Sequence, residues 1–337
     1  MLTKQRLHEI LTNIGSVNIG IIGDFCVDIY WNADMTKSEL SRETPHYPLP
    51  VVEERTYPGA AGNAAANIAA LGPKSIRACG IIGDDWRGEL LKSELKKRGI
   101  LSEGFTLEEG LFTYAYCKPM RKGISDVEYE DPRLDFANYR AISPETEAQV
   151  IEKLDALVQE ADILCVSDQF EFGIVTDQVR ERILSYARNG LKVVVDSRNK
   201  ISRYTGVILK PNEVECWRAV YGNEGYLHAA EEEFIEAAKA LAVKNNALVM
   251  QTLGGRGSLV TDGKETHRID AVKLDGPLDI CGAGDTFLSA FSSCLAAGAA
   301  PEEAASVASL ASAVTVQKIG VTGTATAEEI LRQFEKA

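Results

Sequence analysis

Short apolar runs alternate along the chain with longer amphipathic stretches, the pattern of strands that are each followed by a helix. The runs at 18–22, 75–81, 162–166, 192–195, 206–209 and 247–252 are partly β-branched, as strands buried on both faces of a parallel sheet tend to be. Helical spacing of apolar positions predicts helices over 63–71, 86–98, 144–160, 176–189, 229–244, 286–297 and 301–317. Gly72, Gly99, Gly190 and Gly298 stand where a left-handed cap would close four of them. The alternation predicts an α/β fold: one domain over 1–337, with a doubly wound, mostly parallel sheet flanked by helices. Two segments break the rhythm, 30–57 and 111–136. Within the second, FTYAYCKPMR and SDVEYEDPRLDF alternate as solvent-facing antiparallel strands do, and the two segments together predict a small β lid. No internal repeat, low-complexity tract or Pro/Ser-rich linker interrupts the chain.

Composition narrows the chemistry. With 337 residues and 45% hydrophobic content, there is ample material for a buried core. Lys and Arg total 36 against 49 Asp and Glu, and the net charge of −13 argues against nucleic acid or an anionic membrane as the main partner. An anionic substrate must therefore be held by a local site. Seven cysteines are scattered singly, without a CxxC pair or a zinc-like cluster, and read as core thiols in a reducing compartment. The opening MLTKQRLHEILTNI reads as a charged amphipathic helix rather than a signal sequence, and no apolar run approaches the ~20 residues that span a bilayer. The expectation is a cytoplasmic protein.

The segment DICGAGDTF at 279–287 carries the most chemistry. Its glycines let the N–H groups of Gly282, Ala283 and Gly284 turn toward a phosphate, and the start of the following helix adds about half a positive charge. Asp285 then sits beside that anion, where it could accept a proton from a nucleophile. Taken alone, a GxGD turn reads first as a tight turn followed by an N-terminal helix acid. GAGDTF before a helix ending in LAAG, with Asp279 just upstream, resembles the signature of the PfkB/ribokinase family of carbohydrate kinases.

The resemblance implies a ribokinase-like fold and transfer of a phosphoryl group from ATP to a sugar hydroxyl. Asp285 would be the base, and Gly282, Ala283 and Gly284 the anion hole. GDFCVD at 23–28 and PGAAGNAAAN at 58–67 resemble the family's two sugar-contacting motifs, which makes Asp28, Gly59 and Asn63 candidate sugar ligands. Carboxylate and amide suit hydroxyl recognition, since the first accepts two hydrogen bonds and the second gives and takes one. KPNEVE at 210–215 matches the family's NxxE element, so Asn212 and Glu215 would organise Mg2+ through water. Without the family, PNEVE is an ordinary helix start. TLGGRGSLV at 252–260 resembles the ATP loop, placing Thr252, Gly254 and Gly257 along the nucleotide, with Arg256 read as a solvated turn residue. VQKIG at 316–320, with Lys318, resembles the wall of the adenine site, and Asp279 occupies the acidic position associated with a monovalent cation, K+ being the candidate.

Within the family, the heptose 7-phosphate kinases share counterparts to Tyr30-Trp31, PLPVVEERTYPG, RLDF at 133–136 and VSDQFEFGIVT at 166–176. Departures are Ala60, where the family has the second glycine of a pair, and an altered 41–45. A phosphorylated sugar would need a cationic clamp, for which Arg42, Arg55, Lys118, Arg121, Lys122 and Arg133 are candidates; solvated lid charges are the alternative. The lid could also join two copies as a homodimer. A catalytically silent nucleotide- or sugar-binding regulatory protein with the same fold is the alternative function. A nicotinamide-dependent oxidoreductase is disfavoured, because GIIGDFCVD lacks the required glycine spacing.

Overall fold

The computed structural model describes residues 2–125 and 127–336. After α1 (Lys4–Ile14), the chain lays down β1 (Asn18–Gly23) and passes through Asp24 directly into β2 (Phe25–Asp34). Then come β3 (Val51–Ala60), α2 (Ala61–Ala70), β4 (Ser75–Ile82), α3 (Trp86–Lys97) and β5 (Leu101–Leu107). Next follow β6 (Ala115–Lys122), β7 (Glu128–Glu130), β8 (Leu134–Phe136), α4 (Pro144–Val158), β9 (Ile163–Asp168), α5 (Asp177–Arg188) and β10 (Lys192–Ser197). The last third contains β11 (Ile208–Leu209), α6 (Glu213–Tyr221), α7 (Glu231–Asn245), β12 (Leu248–Thr252), β13 (Ser258–Thr261), β14 (Thr266–Ile269), α8 (Ala283–Ala296), α9 (Pro301–Thr315) and α10 (Ala327–Phe334).

All six expected strands lie in one nine-stranded sheet of order β14-β13-β12-β11-β10-β9-β1-β4-β5, and from β12 to β5 every pairing is parallel. Along β9, Cys165 packs with the layer formed by α1, α2, α8, α9 and α10, while Leu164 and Val166 pack with the layer of α4, α5, α6 and α7. Burial on both faces is why these runs read as continuous apolar stretches. Neighbours β1 and β9 send the chain in opposite directions, to β4 and β5 on one side and to β10, β11 and β12 on the other. In open sheets of this kind ligands bind outside the carboxyl ends of the strands at such a switch point. Among the described residues, no helix is long and apolar enough to cross a membrane.

In the small sheet the segment 111–136 forms antiparallel strands as expected, β7 and β8 each pairing antiparallel with β6. The sheet's order is β3-β2-β6-β7, with β8 also on β6, and the central pair β2 and β6, whose direction the sequence pattern did not address, is parallel. The long excursion through β4 and β5 supplies the crossover that a parallel pair requires. The sheet also begins at Phe25 rather than at residue 30, because β2 continues straight out of β1. Six cysteines are buried as expected, but Cys281, beside the glycine turn, is exposed.

Candidate active site

Helix α8 begins at Gly282, whose φ of 77° turns the chain into the left-handed region before Ala283. A Cβ built on Gly282 would stand 2.7 Å from Asn63 Nδ2 as well as straining the backbone, so glycine is required there. The N–H of Ala283 donates to Ile280 O at 3.2 Å, whereas those of Gly282, Gly284 and Asp285 have no partner among the described residues. They are open donors at a helix N-terminus.

Asp285 is oriented by helix α2. Asn63 Nδ2 donates to Asp285 Oδ2 at 2.7 Å, Asn67 Nδ2 donates to Asn63 Oδ1 at 3.1 Å, and the Thr286 hydroxyl donates to Asn67 Oδ1 at 2.9 Å. The chain of bonds fixes the Asn63 amide, and among the described residues Asp285 Oδ1 has no hydrogen-bond partner. Burial pushes the Asp285 carboxyl up to about 6; the Asn63 bond opposes the shift, Asp196 reinforces it and Lys210 opposes it.

A second cluster lies alongside. Lys210, just past β11, is buried, and its ammonium meets Asp196 Oδ2 at 3.0 Å. A Cβ on Gly284 would stand 3.7 Å from Lys210 Nζ, which brings this cation to the α8 turn. Burial opposes the Lys210 charge, but Asp196, Glu215 and Asp285 outweigh it and raise its pKa. Burial and Asp196 likewise raise the Glu215 carboxyl. Asn212 and Glu215 form a reciprocal capping box, with Glu215 N donating to Asn212 Oδ1 at 2.8 Å and Asn212 N to Glu215 Oε2 at 2.9 Å. The helix-start reading is thus realised, and the charge of the capped Glu215 also acts on Lys210.

Thr252 bridges Asn212, so the TLGGRG loop flanks this cluster. Gly254, with φ of 57°, faces open space, whereas Gly257 packs against the 269–271 segment. Arg256 is not simply solvated: it pairs with Glu213 at 3.2 Å and lies over Phe234.

On the small sheet, Asp28 is buried between Tyr57 of β3 and Tyr116 of β6, with Gly59 against it. Burial raises its carboxyl, opposed by Lys118 and Arg133. Lys118 Nζ donates to the Tyr30 hydroxyl at 2.9 Å, and Arg133 grips Asp135 with two bonds of 2.6 and 2.7 Å while lying 4.3 Å from the Tyr116 ring centroid. Asp279 accepts the N–H groups of Cys281 and Gly320, each at 3.0 Å, and ties the turn to the end of α9. Lys318 is directed into the C-terminal loop, bonding Thr324 O at 2.6 Å and Glu329 at 2.8 Å. Among the described residues, no three His, Cys, Asp or Glu gather as a metal cage.

The model of the pfkB family of carbohydrate kinases matches residues 22–328. The chain belongs to that family. This pfkB-family kinase is 30% identical over 335 residues to the bifunctional protein HldE of Mesorhizobium japonicum, covering 97% of this chain and 64% of the relative. Its fold is similar to that of Escherichia coli phosphofructokinase-2, solved with fructose-6-phosphate (TM-score 0.72, 20% identity, 95% and 99% of the two chains). It is also similar to Arabidopsis thaliana ribokinase, solved with ribose and ATP (TM-score 0.68, 20% identity, 95% and 99%).

Two residues of this kinase's cluster carried no role in the sequence reading. Asp196 closes the VVV run at the carboxyl end of β10, and Lys210 opens KPNEVE. A lone acid at a strand end is the only signal the first gives, and the cross-strand register is what makes it informative. Asp24 of the GDFCVD motif is architectural: its buried carboxylate accepts the N–H groups of Gln169, Phe170 and Ile174 at 2.8, 2.7 and 2.8 Å.

Proposed function

We propose that the chain transfers the terminal phosphoryl group of ATP to a hydroxyl of a sugar phosphate of the heptose 7-phosphate type. The observation that carries this reading is the Asp285 carboxylate, held through one oxygen by Asn63 at the mouth of α8, with the other oxygen open. A carboxyl near 6 is ionised at neutral pH yet basic enough to take a proton from a hydroxyl brought within hydrogen-bond reach. The open N–H groups of Gly282, Gly284 and Asp285 would hold the moving phosphoryl group, and Lys210 would lend positive charge nearby.

Lys210 pairs with Asp196, and the charges of Glu215 and Asp285 also act on its ammonium, so acidic groups outnumber this cation in the cluster. Mg2+ would be held by Asn212 and Glu215 through water, and it would offset charge on the nucleotide phosphates. Thr252 and Gly254 flank the space in which the nucleotide would lie. Asp28 and Asn63 would bind acceptor hydroxyls, and the small sheet would close over them as a lid carrying Lys118 and Arg133 toward the acceptor's phosphate. The preference for a phosphorylated acceptor is supported by the heptose-kinase-like segments and by relatives named HldE, of whose length the chain spans about 64%.

The test is Mg2+- and ATP-dependent ADP release over free sugars, sugar phosphates including heptose 7-phosphates, and nucleosides. Turnover confined to sugar phosphates is expected. Turnover on free sugars alone would overturn the acceptor assignment, and none on any acceptor would overturn the kinase reading.

A further inference from the structure

Arg87 is the second residue of α3, and it is buried. Its Nη2 donates to Asp85 Oδ2 at 2.9 Å, while its Nε is buried with no hydrogen-bond partner among the described residues. The guanidinium lies among three aromatic rings, its carbon 4.1 Å from the centroid of Phe136 and 5.2 Å from those of Phe112 and Trp86. Phe112 and Phe136 themselves meet edge to face at 5.7 Å. A buried cation with an unmet donor is a poor device for stability alone. Ring faces that attract it do, however, hold it and the elements that carry the rings in one arrangement.

Those rings come from three different places in the fold. Trp86 starts α3, which joins β4 to β5 of the large sheet; Phe112 precedes β6, and Phe136 ends β8. Asp85 ties the same point from below, because its Oδ2 also accepts Thr113 N at 3.1 Å, and Gly83 N donates to Thr113 Oγ1 at 3.0 Å. Asn138, just past β8, exchanges bonds of 2.9 and 2.8 Å with the backbone of Phe112. Arg87 therefore stands where the chain enters β6 and where it leaves β8. Strand register carries that root toward the candidate acceptor residues: Phe136 is opposite Ala115, Asp135 opposite Tyr116, and Tyr116 opposite Asp28. Asp135 in turn holds Arg133.

We propose that Arg87 is a positioning residue for the acceptor: its guanidinium pins β6 and β8 to α3 and so fixes Asp28, Tyr116 and Arg133 relative to Asp285, without itself touching substrate. The inference rests on the sugar-kinase reading above.

Full-length Arg87→Met keeps most of the volume and leaves Asp85 its two backbone donors, Gly88 and Thr113, so the variant should fold. With heptose 7-phosphate as acceptor, KM should rise roughly threefold to thirtyfold, the worth of one or two cation–ring contacts. Saturating kcat and calorimetric binding of Mg-AMP-PNP should stay as in the wild type. Amide hydrogen exchange should quicken at 112–117 and 134–138 and remain unchanged in β9 and β10. Arg87→Lys, which keeps a cation over the rings, should recover part of the acceptor KM. Phe136→Leu removes the nearest ring from the other side and should reproduce the KM shift, and the double variant should be no worse than either single one. An unchanged acceptor KM in Arg87→Met, or shifts that add in the double variant, would overturn the proposal. So would equal losses for acceptor and nucleotide with a lowered melting temperature, the mark of a structural role. A wild-type protein that turns over no acceptor would instead remove the kinase reading, whereas unchanged exchange at 112–117 and 134–138 would show that Arg87 does not anchor the small sheet.

Discussion

Replacing Asn63 by Ala removes the one side-chain donor to Asp285 among the described residues while leaving the backbone oxygen of residue 63 to accept from Asn67. The bond is short, 2.7 Å, and its acceptor is a carboxylate, so it favours the ionised form. Hydrogen bonds to charged groups contribute about 1.5–3 kcal/mol, equivalent to about one to two pH units. The Asp285 carboxyl, raised to about 6 in the native protein, should therefore move to roughly 7 or 8 in the variant. Base catalysis requires the carboxylate, so the sign is fixed: activity is lost on the acid side, and the lost range extends upward. At pH 7 the ionised fraction falls from roughly nine-tenths to between about half and one-tenth. The assay is the pH profile of kcat/KM by coupled ADP release, whose acid limb reports the free enzyme. Loss of a sugar contact by Asn63 would lower the whole profile without shifting its midpoint. An acid limb that stays in place, or moves down, would refute the coupling between Asn63 and Asp285.

Three further outcomes concern stability. Ala60 has φ of 49° and ψ of −121° before α2, a conformation that favours glycine, so Ala60→Gly should stabilise by about 1 kcal/mol, read from the urea midpoint. Gly257→Ala should destabilise by at least ~2 kcal/mol in the same assay, because the new Cβ would stand 2.2 Å from Ile269 O and 2.7 Å from Ala271 N at φ of 98°. Lys210→Met leaves the Asp196 and Glu215 carboxylates without their buried cation, and about 3–5 kcal/mol of stability should be lost. An unchanged melting transition in that variant would contradict the electrostatic reading of the cluster.

The parallel sheet was legible because burial on both faces leaves an unmistakable apolar run, as in IGIIG of β1 and VVV of β10. Strand β5, LSEGFTL, lies at the sheet edge with half its positions solvated, and its mixed pattern gave no such signal. Helix α6, nine residues long, showed only its start, and the eight-residue α10 was too short to stand out from the chain end. The direction of pairing in the small sheet was hidden for another reason. Alternation marks a strand, but only the route of the connection decides whether β2 meets β6 parallel or antiparallel. In the candidate site, glycine-and-acid motifs pointed to Asp285, Asn63 and Glu215, whereas Asp196 depends on which strand ends stand side by side. The spelling of a motif also could not reveal that Asn63, read as a sugar ligand, holds Asp285 in place.

If Asp285 accepts the proton of the acceptor hydroxyl as proposed, Asp285→Asn removes the base, and its turnover reads that loss. The substitution keeps an oxygen able to accept from Asn63 and removes a charge that burial disfavours. Because the folded carboxyl is raised to about 6, its stabilising protonated form is lost as pH climbs from roughly 4 through 6, so the Asn variant should be at least as stable as the wild type at pH 7. With folding and nucleotide affinity retained, kcat should fall by at least ~10²-fold on the best acceptor. A folded variant that keeps near-normal kcat would contradict the account.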